Sequence, residues 1–152
     1  MISNWECGTA KAGATNGMIE LSNLKPGLKG SADLVVGVEH TAPRVGSGRV
    51  PVLATPVMIN VIEAAALAAV EHLLPEGHQS LGIHLNVRHF AATPVGMRVS
   101  ATAELTGIEG RTLSFRVEAR DDREPIGEGT HQRVVVNVAR FDQRVQRKLA
   151  PA

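Results

Sequence analysis

Three residues stand out by type and setting as candidates for chemistry: Glu63, His89 and Thr55. Glu63 interrupts the apolar stretch Val57 to Val70, with Ile59, Ala66 and Leu67 three and four residues away. A carboxylate there is costly unless paired or hydrogen-bonded. It is either a group that meets a reactant or a structural acid bonded to a backbone N–H or an arginine. The functional reading is taken forward because perturbed acids concentrate at active sites. His89 ends a run in which Ile83, Leu85, Val87 and His89 share one face by parity, with His84, Asn86 and Arg88 on the other. Alone, such a histidine is more often a satisfied core residue; facing an inward glutamate it is half of an acid–base pair. Thr55 precedes Pro56 where the apolar stretch begins, and helix capping alone would explain it. The same place also offers helix N–H groups to a carbonyl oxygen developing negative charge. Eight residues separate Thr55 from Glu63, about 12 Å along a helix axis, so a substrate, a water or a second copy of the chain must bridge them.

The rest of the composition narrows the chemistry. The 152 residues carry 16 Lys and Arg against 15 Asp and Glu, a net charge of +1. Both signs are interspersed, so no large positive field is present and nucleic acid is not expected as a partner. All four lysines (Lys11, Lys25, Lys29, Lys148) lie near the ends, and tyrosine is absent. This excludes a core Schiff-base lysine, a P-loop lysine and a tyrosine general acid. Cys7 is the only cysteine, and His40, His72, His78, His84 and His131 show no ligand spacing, so neither a disulfide nor a metal site is expected. The first residues lack a basic start and an apolar core, and Val57 to Val70 falls short of the ~20 residues of a membrane span. A cytoplasmic protein without membrane contact is the expectation.

These residues must be positioned by a fold, and the pattern predicts one. Residues 1–23, rich in Gly, Ala, Thr and Asn, read as a flexible extension before a domain at 24–148. Alternation predicts a strand over Ala32 to His40, and TAPRVGSGRVPVLA reads as a long loop. With Thr55 as N-cap, Pro56 at the first position and Pro75 and Gly77 beyond the end, a helix is predicted from Pro56 to Leu74. It is apolar around nearly its whole circumference and must be enclosed. A strand over Leu81 to Phe90 follows. Two strands then bury Val99, Ala101, Ala103 and Leu105, and Leu113, Phe115, Val117 and Ala119, with Gly107 to Gly110 between them. A last strand runs from Ile126 to Arg140, and the basic tail to Lys148 reads as a solvated end. Strand, helix and four strands describe an α+β hotdog domain, a long central helix wrapped by a curved antiparallel sheet. Such domains join sheets edge to edge, so a homodimer is expected.

Three further segments carry a resemblance: AT followed by Glu63 eight residues after Thr55, the block SLGxxxxVxHxAATPxGxxV from Ser80 to Val99, and GTHxR from Gly129 to Arg133. Over roughly residues 24 to 148 the chain resembles the fluoroacetyl-CoA thioesterase family of hotdog thioesterases. The resemblance implies a catalytic set of Thr, Glu and His, matched by Thr55, Glu63 and His89. It also implies a glycine near the reacting carbonyl, matched by Gly82, and an arginine near the coenzyme A portion, matched by Arg133. From the residues alone Gly82 is a strand-start glycine and Arg133 one charge on an exposed face. The chain departs from the pattern in the loop RVGSGRVPVLAT, which lacks the aromatic lid residues of fluoroacetyl-specific members. It also carries Pro56 where they have glycine, so an oxyanion contact would come from a later N–H such as that of Val57, or from Gly82.

The resulting expectation is a thioester hydrolase that converts a small acyl-CoA to free acid and coenzyme A, with coenzyme A as part of the substrate and no separate cofactor. Glu63 would be general base or nucleophile, His89 proton donor and orienter, and Thr55 the carbonyl-positioning hydroxyl or nucleophile. A non-catalytic acyl-CoA sensor and an enoyl-CoA hydratase are the competing readings.

Overall fold

Period-two alternation and one long apolar helix decide the architecture, as a computed structural model describing residues 19–151 makes visible. Strands β1 (Lys29–Val35), β2 (His78–His89), β3 (Arg98–Glu109), β4 (Thr112–Asp121) and β5 (Pro125–Asn137) form one antiparallel sheet in the order β1-β3-β4-β5-β2. Three α-helices accompany it: α1 (Ala42–Val45), α2 (Thr55–Val70) and α3 (Val138–Gln146). The two central strands bury Val99, Ala101, Ala103 and Leu105 on β3 and Leu113, Phe115, Val117 and Ala119 on β4. Helix α2 lies on that face and buries Val57, Met58, Val61, Ile62, Ala65, Ala66, Ala69 and Val70.

The enclosure expected for α2 is incomplete within one chain. A helix on one face of an open sheet keeps an outer side, and Pro56, Asn60, Ala64 and Ala68 are exposed there. The helical segment runs on as a 3-10 turn to Leu73, giving 19 residues of mean hydropathy 1.4, long and apolar enough by itself to cross a membrane. The sequence-based expectation that this stretch is too short is therefore corrected. Its packing is that of a core helix, with eight of its side chains buried against the sheet.

Other boundaries also differ. Strand β1 ends at Val35 instead of His40, because the Gly37 N–H donates to His40 Nδ1 at 2.9 Å and the chain turns into a 3-10 helix, Val38–His40. The following loop contains α1, which ends at Gly46 in the left-handed conformation. Strand β5 stops at Asn137 because the Asn137 side chain accepts from the Arg140 N–H at 3.1 Å, an N-cap that turns the expected strand end and tail into α3. Of the expected extension, residues 1–18 lie outside the described residues. Ile19 and Leu21 already pack on the core, so packing begins before Leu24.

The close seat of α2 on β1 depends on Gly30. A Cβ at that position would stand 2.3 Å from both the Ala65 carbonyl oxygen and the Ala69 nitrogen. Backbone cannot yield as a side-chain tip can, so Gly30→Ala is expected to cost about 2 kcal/mol or more, read from the urea midpoint. An unchanged midpoint would contradict this packing.

Candidate functional site

Thr55 is the first residue of α2, not its N-cap. Ala54 takes the cap position, its carbonyl accepting from the Val57 and Met58 N–H groups at 3.0 and 3.1 Å. Released from capping, the Thr55 hydroxyl meets Nδ1 of His89, at the end of β2, at 2.8 Å. With the ring proton on Nε2, Nδ1 accepts from the hydroxyl, the arrangement that activates an alcohol. His89 Nε2 is buried and makes no hydrogen bond among the described residues. Burial holds the His89 pKa below its ordinary 6.5, against an opposing pull from the Ala91 backbone, so the ring favours its neutral form. A cleft of about 310 Å³ opens beside the pair, lined by Arg49, Val50, Val52 and Leu53 of the loop and by Phe90 and Ala92. No acidic side chain lines it. The loop indeed brings no aromatic ring, but Phe90 brings one from the β2 side.

Glu63, two helical turns further along α2, meets a different imidazole. Its Oε2 accepts from Arg133 Nη1 at 3.1 Å and lies 4.0 Å from Nε2 of His131, both on β5. Gly82 of β2 makes room for this approach, since a Cβ there would lie 2.7 Å from Glu63 Oε2 and 3.2 Å from the His131 ring. Gly82 is therefore a close-approach glycine beside the carboxylate, not simply the start of a strand. Glu63 itself keeps about a third of its side chain exposed, 34%, and Oε1 makes no hydrogen bond among the described residues.

Arg133 departs from the reading as one charge on an exposed face. Its side chain is 5–6% exposed. Its Nε donates to Ser80 Oγ at 2.8 Å and its Nη2 to the Ser80 carbonyl at 3.0 Å, while Nη1 reaches Glu63. A buried guanidinium is tolerable because its donors are matched in this way. His131, completely buried, was missed as a site residue. The signal was present in GTHQRVV: alternation places His131, Arg133 and Val135 together on the face that packs inward. Ser80 and Glu71, which complete the network, carry no comparable mark.

The expected Glu63–His89 pair is thus absent within one chain. Thr55 and His89 form one cluster, and Glu63, Gly82, Arg133 and His131 another. Seven residues of β2 separate Gly82 from His89, about 23 Å of extended chain. No group of three or more His, Cys, Asp or Glu side chains is placed to hold a metal among the described residues.

Two histidines favour neutrality, the partly buried His89 and the completely buried His131, since burial also lowers the pKa of His131, reinforced by the charge of Arg133. Below the ordinary value of 6.5 the unfolded chain binds protons that the folded chain resists, so stability is full above that value and is lost as pH falls through it. The thermal midpoint is expected to fall between about pH 7.5 and about pH 5. A midpoint flat over that interval would contradict the lowered pKa of the two rings.

Comparison with known proteins bears on the fold and the enzyme class. The fluoroacetyl-CoA-specific thioesterase family matches residues 36–139. The chain is 44% identical over 97 residues to the fluoroacetyl-CoA thioesterase of Streptantibioticus cattleyicolor, covering 64% of this chain and 70% of that protein. A solved structure of the fluoroacetyl-CoA thioesterase FlK superposes with a TM-score of 0.79 at 36% identity, covering 84% of this chain and 98% of that one. A thioesterase superfamily member from Thermus thermophilus superposes at 0.74 with 29% identity, covering 81% and 91%. The hotdog fold and the thioester hydrolase class expected from the sequence hold, and the chain belongs to the fluoroacetyl-CoA-specific thioesterase family.

Proposed function

We propose that this thioesterase hydrolyses a small aliphatic acyl-CoA at sites shared by two copies of the chain. The observation that carries the reading is the Thr55 hydroxyl held 2.8 Å from an imidazole whose pKa is lowered by partial burial, at the mouth of a cleft. In the first step the Thr55 oxygen attacks the thioester carbon and His89 takes the hydroxyl proton. The carbon–sulfur bond then breaks, and the leaving thiolate takes that proton from His89. A water, deprotonated by Oε1 of Glu63, next attacks the acyl ester on Thr55. The ester bond breaks to release the acid, and Thr55 regains a proton from Glu63. Gly82 leaves space at the carboxylate for the reacting carbonyl. Arg133 serves the substrate only through Glu63. The aliphatic Val50, Val52 and Leu53 suit a small hydrocarbon acyl group.

The separation of the two clusters is what calls for a second copy. Strand β2 stands at the edge of the sheet, with Leu85 exposed at its middle. An unpaired edge is a template for another strand. If β2 paired antiparallel with its own copy, centred between Leu85 and Asn86, Gly82 and His89 would lie equally far from that centre. Each Gly82, with its Glu63, would then face the His89 and Thr55 of the other copy. A symmetric dimer of this kind has two such sites. The exposed stripe of α2 would gain a neighbour in the same assembly.

The test is release of coenzyme A thiol from a panel of short-chain acyl-CoAs. Glu63→Ala and His89→Ala are each expected to lower kcat about 10²–10⁴-fold. When the two variants are co-expressed, about a quarter of wild-type turnover is expected to return, because half of randomly paired dimers are mixed and each has one intact site. No recovery would place the whole site within one chain. Binding of acyl-CoA without thiol release by the wild type would favour a sensor.

A further inference from the structure

Arg133 lies in a ring of acceptors, and two of those acceptors are made so by groups that the proposed reaction does not use. Nη1 carries two hydrogens; one goes to Glu63 Oε2 and the other points to His131 Nε2 at 3.2 Å. A histidine accepts at Nε2 only when its proton is on Nδ1. The His131 Nδ1 lies 2.8 Å from the His84 carbonyl, which can only accept, so the proton is on Nδ1. The irregularity between Gly82 and His84 in the β2–β5 pairing occurs where that carbonyl meets the ring. Phe115 stacks on the other side, ring centres 6.1 Å apart, and fixes the plane.

Ser80 is treated the same way from the opposite end. A hydroxyl is donor and acceptor at once, and facing an arginine it must be an acceptor. Glu71, just beyond the end of α2, takes the Ser80 hydroxyl proton on Oε2 at 2.6 Å and the Ser80 backbone N–H on Oε1 at 2.8 Å. The serine lone pairs are left to Arg133 Nε. Every proton that could face the guanidinium from Ser80 or His131 is thus drawn off elsewhere.

We propose that His131 and Glu71, the latter through Ser80, are positioning residues that set Arg133 so that it holds Glu63 Oε2 and leaves Oε1 turned to the reacting group. This rests on the reading that Glu63 serves hydrolysis. Neither residue touches substrate; their effect passes through the orientation of one guanidinium. Because a misplacement of about 1 Å at a reacting carboxylate costs on the order of a hundredfold in rate, loss of either acceptor is felt in kcat and not in KM.

The experiment measures kcat, KM and the thermal midpoint for His131→Phe, which keeps the ring and its stacking on Phe115 but removes both nitrogens, and for His131→Gln, whose amide can donate to the His84 carbonyl and accept from Arg133. Glu71→Ala, Arg133→Met, Glu63→Gln and the double variant His131→Phe with Arg133→Met complete the set. Expected are a fall in kcat of roughly ten- to a hundredfold for His131→Phe and Glu71→Ala at unchanged KM, with His131→Gln close to wild type. In the Arg133→Met background His131→Phe is expected to add nothing, since residues acting through one group are non-additive. A lowered midpoint with unchanged kcat, or the same loss with and without Arg133, would overturn the proposal while leaving Glu63 its role. Unchanged turnover in Glu63→Gln would overturn the role of Glu63 and the proposal with it.

Discussion

The structure depends on one ion pair between a helix and a sheet that otherwise meet mainly through hydrocarbon: Glu63 of α2 against Arg133 of β5. Removing Glu63 would leave the buried Arg133 charge without its counter-charge, so the pair constrains both elements at once. The helix must bring a carboxylate to the β2–β5 side, and β2 must carry glycine at position 82 for that carboxylate to arrive. The sheet must in turn satisfy a buried guanidinium, and it recruits Ser80 and His131 to do so. Hydrophobic burial positions α2 over β1 and β3, but burial has no preferred direction. The ion pair supplies one.

The same geometry separates the Thr55–His89 and Glu63–Arg133 contacts within one chain. Eight residues of α2 span about 12 Å while seven residues of β2 span about 23 Å, so the contacts at Gly82 and His89 lie further apart on the strand than Glu63 and Thr55 do on the helix. Glu63 and His89 therefore diverge where the sequence alone suggests that they meet. In the proposed two-copy assembly the divergence becomes useful, because antiparallel pairing of β2 exchanges its ends. The thioesterase class and the hotdog fold do not depend on that assembly; the completeness of the site does.

Much of the fold was legible because alternation and apolar helical composition act locally. Leu113, Phe115, Val117 and Ala119 announce a half-buried strand by parity, and the structure buries all four. Local competition was harder to read. Thr before Pro suits a cap and would by itself explain Thr55, but the neighbouring Ala54 carbonyl takes the cap position and the hydroxyl goes to His89. Val36 and Val38 continue an alternation that Gly37 and His40 break with one side-chain hydrogen bond. An isolated charge is normally solvated, so the residues alone suggest an exposed Arg133, whose burial its long-range partners Ser80 and Glu63 help to make tolerable. Those partners lie 53 and 70 residues away in sequence, beyond the reach of any periodicity.

The most direct test of the central contact is a crystal structure of the protein with coenzyme A carrying a non-hydrolysable thioester analogue. Expected is an analogue carbonyl carbon about 3–3.5 Å from the Thr55 hydroxyl oxygen, with Oε1 of Glu63 from the second copy on its far side and Oε2 still bound by Arg133. An analogue seated away from Thr55, or an Arg133 that leaves Glu63 to hold a coenzyme A phosphate, would contradict it.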